Sequence, residues 1–113
     1  MTLIEESAND VNLGDEGYLN DPAEWNEDIA ELLATGEGIE LSAEHWRVIG
    51  YMRDYYAENG IAADARFVIK FIADEMGYKD RARARLFQLF PYGYVKQACK
   101  IAGMKRPRAW STG

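Results

Sequence analysis

The chain has 113 residues, 48% of them apolar and 12% aromatic, which suits one folded domain with a sizeable core and excludes a disordered chain. No apolar run approaches the roughly 20 residues of a membrane span, so no membrane insertion is expected. There is one cysteine, and the acidic opening residues lack the basic start of a secretory leader, so a reducing cytoplasm is the expected compartment.

Residues 1–20 read as a small β element, a hairpin or meander. The stretch from Asn12 to Leu19 is its turn region, with Gly14 and Gly17 supplying permissive backbone. Helices follow. The first is expected from Asp21 as N-cap, with Pro22 at the first helical position and a capping box between Asp21 and Glu24. Trp25, Ile29, Leu32 and Leu33 then recur at helical spacing, and Gly36 stops the helix.

The second helix is capped by Ser42 and stopped by Gly60. Its expected apolar face runs through Trp46, Ile49, Met52 or Arg53, and Tyr56, and Gly50 inside it marks a close approach by a neighbour. A third runs from about Asp64 to Met76, with Phe67, Val68, Phe71, Ile72 and Met76 on one face. A fourth runs from about Asp80 to Leu89 and ends at Pro91. A fifth, from about Tyr94 to Ala102, carries Cys99 and stops at Gly103. Residues 104–113 lack periodicity and read as a flexible C-terminal arm. The fold class is mainly α: a compact array of about five helices in a body spanning 21–103.

The net charge of −6 hides a polarity along the chain. No Lys or Arg precedes Arg47, whereas Asp80 is the only acid after Lys79. The basic end either pairs with the acidic front or faces an anionic partner. His45 and Cys99, one residue of each type, fall short of a metal ligand set, so no metal site and no cofactor are expected. His45 reads as a first-turn surface or packing residue. The stretch from Ile72 to Tyr78, followed by Arg81, Arg83 and Arg85, resembles a helix-turn-helix and makes those arginines nucleic-acid candidates. Their alternation spreads them around the helix, which weighs against a shared face.

Cys99 is the candidate redox or sulfur-binding thiol. Lys96 lies three residues before it and Lys100 directly after it, and neighbouring positive charge lowers a thiol pKa. The alternative is a small buried hydrophobe, the commonest fate of a free cysteine.

Three blocks carry a family resemblance. They are Gly17-Tyr18-Leu19 with Trp25, then Leu41 to Trp46 followed by Arg53-Asp54-Tyr55-Tyr56, and Leu89 to Gly93 with Lys96 to Gly103. In these blocks the chain resembles the DsrC/TusE family, which contains the gamma subunit of dissimilatory sulfite reductase and the sulfur-relay protein TusE. The resemblance implies a DsrC-like helical fold with a small β element and a C-terminal arm. It implies partners of the sulfur-relay or sulfite-reductase type, and a relay substrate or partner rather than a stand-alone enzyme.

Family members carry sulfur on a cysteine of the arm, and DsrC proteins add an inner cysteine that resolves it. Cys99 matches the inner one. Trp110 falls where the arm cysteine is expected, and Tyr94, Ala43, Ala63 and Lys105 stand where the family has prolines. The leading expectation is therefore an accessory protein of sulfur metabolism that binds partners or regulates, acting as a monomer. Lys96, Lys100, Lys105, Arg106, Arg108 and Trp110 are its partner-binding candidates. The alternatives are sulfur or redox chemistry on Cys99 alone, through a persulfide or an intermolecular disulfide, and DNA binding through residues 72–85.

Overall fold

The computed structural model describes residues 18, 19 and 21–104. Among them are four α-helices and one π-helix: α1 (Glu27–Gly36), α2 (Ala43–Asn59), α3 (Ala65–Asp74), α4 (Ala82–Leu89) and the π-helix Tyr94–Cys99. The mainly α expectation holds. Most of the expected β element lies outside the described residues. Of its final residues, Tyr18 and Leu19 are buried, and Leu19 forms an isolated backbone bridge.

The expected first helix is split in two. Pro22–Glu24 forms a 3₁₀ turn, and Asp21 accepts from the backbone N–H of Ala23 at 3.0 Å. Trp25 then turns extended (φ −69°, ψ 142°), and Asn26 starts the helix afresh by accepting from the N–H of Ile29 at 2.9 Å. The break frees Trp25 from the helical register, and its indole N–H reaches the carbonyl of Ile101 at 2.8 Å.

Helix α2 begins and ends where the caps predict. Ser42 and His45 form a capping box, and Gly60 closes the helix at φ +74°. Its buried seam is rotated from the expected one, to His45, Val48, Ile49 and Met52, with Trp46 half-buried. His45 is thus a packing residue. Its Nδ1 accepts from the N–H of Ser42 at 3.0 Å, which makes Nε2 the protonated nitrogen that donates to the carbonyl of Leu89 at 2.7 Å.

Gly50 does not mark a close approach. It is exposed, and a Cβ added there meets nothing within 4 Å. Gly50→Ala should therefore stabilise the protein by about 1 kcal/mol, the ordinary helix-propensity gain. Urea unfolding would check it, and an unchanged midpoint would show that the position is constrained after all.

Helix α3 is capped by Asp64, which accepts from the N–H of Arg66 at 2.9 Å. The α3 seam is narrower than its apolar pattern suggests. Val68 and Ile72 are buried, while Phe67 is 40% exposed. Phe67 and Phe71 lie along α2 instead, with Phe71 stacked on Tyr51 at 4.6 Å. Gly77 (φ +81°) turns the chain into a 3₁₀ turn, Lys79–Arg81, that leads into α4. The core joins Val48, Ile49 and Met52 to Val68, Ile72, Leu86, Leu89 and Phe90, and the π-helix with its following turn packs into it.

Candidate functional site

Gly93, at φ +99°, opens the π-helix. Its wider winding sets Tyr94 and Cys99, five residues apart, against each other inside the body. The Tyr94 hydroxyl hydrogen-bonds the carbonyl of Ala63, in the α2–α3 connection, and also meets the Cys99 thiol. Cys99 has no solvent-exposed surface, and burial pushes its thiol up to about 12, against its hydrogen bond with Tyr94. The same burial raises the Tyr94 phenol.

Lys96 and Lys100 do not activate the thiol. Cys99 faces inward, while the two lysines project away from it. Lys96 is exposed. Lys100 donates to Glu37 at 2.9 Å and lies over the ring of Tyr18 at 5.4 Å. The buried Gln97 side chain donates to Glu37 at 3.1 Å and accepts from the N–H of Tyr92 at 2.9 Å. Burial opposes ionisation of Glu37, but the bonds from Lys100 and Gln97 outweigh it and hold the carboxyl below its usual range. Glu37, Tyr18, Tyr92, Lys96 and Lys100 line a cavity of about 300 Å³. The sequence signal for Glu37 is its place between Gly36 and Gly38, the turn that swings it off the end of α1.

A second constellation surrounds the end of the last turn. Gly103 (φ +79°) packs directly on Trp25. The Arg53 guanidinium sits over the Trp25 ring at 4.5 Å and donates to the carbonyls of Ala102 and Pro22, each at 3.1 Å. This grouping joins residues far apart in sequence, and periodicity gives no sign of it. Lys105, Arg106, Arg108 and Trp110 lie outside the described residues.

The three alternating arginines separate. Arg81 and Arg83 are exposed. Arg85 turns inward to Glu44, with nitrogen–oxygen distances of 3.0 and 2.9 Å, and Tyr78 donates to the same carboxylate at 2.7 Å. The bond from Arg85 and then that from Tyr78 hold Glu44 below the usual carboxylate range. Arg85 is thus ion-paired with Glu44 instead of standing free beside Arg81 and Arg83. Among the described residues no group of three or more His, Cys, Asp or Glu side chains could hold a metal ion.

A small helical body with one inner thiol in a Gln-Ala-Cys turn and a glycine at its C-terminal exit defines a class, that of the DsrC-like proteins. The family model described as "DsrC like protein" matches residues 5–109. Sulfurtransferase TusE of Salmonella paratyphi A is 40% identical over 98 residues, covering 87% of this chain and 90% of that protein. TusE of Escherichia coli is 39% identical over the same shares. Among solved structures, the oxidized gamma subunit of dissimilatory sulfite reductase (DsrC) from Archaeoglobus fulgidus superposes with a TM-score of 0.74 at 36% identity, over 87% of this chain and 90% of that one. The chain belongs to the DsrC/TusE family.

Proposed function

We propose that this protein is a partner-binding or regulatory member of the sulfur-relay family, acting in the cytoplasm through its C-terminal segment rather than by carrying sulfur on Cys99. The observation that carries this reading is the sealing of Cys99, the only thiol in the sequence. Sulfur transfer needs a thiolate that can enter a partner's site, and a buried thiol held protonated offers none. Family membership supplies the partner class, since its relatives are named as sulfurtransferases and as a sulfite reductase subunit.

In this reading Trp110 and the basic residues Lys105, Arg106 and Arg108 dock where a family arm docks, with the indole as the apolar anchor. Exposed Lys96 and Tyr92 extend the basic, aromatic surface of the body. The full chain should bind a sulfite-reductase or sulfur-relay component of its host in a surface-binding assay. Trp110→Ala should weaken that binding by about tenfold or more, as loss of a hot-spot residue does, and Cys99→Ala should leave it unchanged. Absence of binding to every such component, or a sulfur adduct on Cys99 of the native protein after exposure to a persulfide donor, would end this reading.

A further inference from the structure

Arg53 is a half-buried cation with no carboxylate partner among the described residues. Burying a guanidinium is costly unless its donors are met, and here two backbone carbonyls and one aromatic face meet them. Those partners are a specific set. Pro22 and Trp25 belong to the strap before α1, and the N–H of Trp25 itself bonds the carbonyl of Pro22 at 3.2 Å. Ala102 is the last residue before Gly103. The guanidinium fork therefore joins the strap to the point where the chain leaves the body.

Trp25 completes the arrangement from the other side. Its indole N–H holds the carbonyl of Ile101, and its ring lies under Gly103, which alone can take the left-handed turn in that space. The N–H of Met104 then bonds back to the carbonyl of Cys99 at 2.9 Å. The carbonyls of residues 101 and 102 and the backbone of 103 are thus fixed by two side chains, Trp25 and Arg53.

We infer that Arg53, acting through Trp25 and the turn at Ala102-Gly103, is a positioning residue that sets the direction in which the C-terminal segment leaves the body. Its use in partner binding rests on the function proposed above: a segment aimed in advance loses less freedom on docking. Lys cannot replace Arg here, because one ammonium on a flexible stem cannot span both carbonyls while lying flat on the indole.

The test is a pair of distance distributions from spin labels on the full chain. One pair, Ala84→Cys with Arg106→Cys, reads the exit direction. The other, Ala84→Cys with Glu58→Cys, reads the body between the exposed faces of α4 and α2. Arg53→Met and Arg53→Lys should broaden or displace the first distribution and leave the second unchanged. A first distribution unaltered by either variant, with the body distance kept, overturns the inference. Partner affinity is a separate readout: Arg53→Lys should weaken binding by about tenfold if pre-aiming matters. Failure of Trp110→Ala to weaken binding would remove the functional reading while leaving the direction measurement to decide the role of Arg53.

Discussion

Cys99 in the native protein should react with a maleimide or iodoacetamide at neutral pH about a thousandfold or more slowly than in the unfolded chain. The thiolate is the reacting form, and raising the thiol from its ordinary value of 9 to about 12 lowers the thiolate fraction by that factor. Complete burial adds a steric barrier, so labelling should proceed through opening of the structure and track its stability. Mass spectrometry with and without denaturant reads the two rates. Similar rates would show that the thiol is open in solution, and the persulfide or intermolecular-disulfide alternative would regain its footing.

The same burial makes a pH prediction with a definite sign. Below about pH 9 the thiol is protonated in the folded and the unfolded chain alike, and it contributes no pH dependence. Between about 9 and about 12 the unfolded chain releases the proton while the folded chain keeps it. Stability should therefore fall as pH rises, by about 1.4 kcal/mol per pH unit from this one group. Tyr94 adds a loss of the same sign above its ordinary value of 10, because its phenol is also raised by burial. Cys99→Ala should abolish the decline between about pH 9 and 10 and roughly halve its slope between about 10 and 12, where Tyr94 remains. A decline identical in the variant would mean that Cys99 is not the group involved.

Several helix boundaries set by capping chemistry were legible in the sequence: Ser42 and Gly60 delimit α2, and Asp64 begins α3. The start of α1 was not, because Asp21 caps only a 3₁₀ turn and Asn26 caps the helix. What failed to show was the rotation of helices about their own axes. Trp46 and Phe67 fit an apolar stripe as well as Val48 and Val68 do, and only packing against the other elements decides which set turns inward. The candidate site was legible in its location but not in its state. The basic residues around Cys99 are real, yet in the wider π winding Lys96, three residues away, is exposed while Cys99 turns inward, although an α-helix would put the two on one face. The partners of Glu37 and Arg53 escaped for the opposite reason. The glycines on either side mark Glu37 as a turn residue, but each of the two side chains reaches a segment more than 45 residues away, which no local pattern encodes.

Gly103→Ala should be among the most damaging small substitutions in the chain, costing about 3 kcal/mol. Two terms combine. The residue sits at φ +79°, where a Cβ is disfavoured by about 1 kcal/mol. An added Cβ would also collide with Cδ1 of Trp25 and lie 2.7 Å from its Cγ and 2.8 Å from its Cβ. The near end of that side chain cannot swing away. Its indole is fixed by the carbonyl of Ile101 and covered by Arg53, so the turn itself must move, at an overpacking cost of about 2 kcal/mol.

Gly60→Ala is the matched control. It has nearly the same dihedral, φ +74°, but nothing within 4 Å of the new atom, so it should cost only the backbone part, about 1 kcal/mol. Denaturant titration of the two variants separates the terms, and equal losses would show that the Trp25 contact gives way. A double-mutant cycle adds the decisive comparison. Trp25→Ala should absorb most of the steric penalty of Gly103→Ala, whereas Trp25→Phe, which keeps a ring under the turn but loses the indole N–H, should not. Coupling confined to the ring identifies shape as what seats Gly103. Absorption of the penalty by Trp25→Phe as well would transfer that role to the hydrogen bond on Ile101, and with it the fixing of the point where the chain leaves the body.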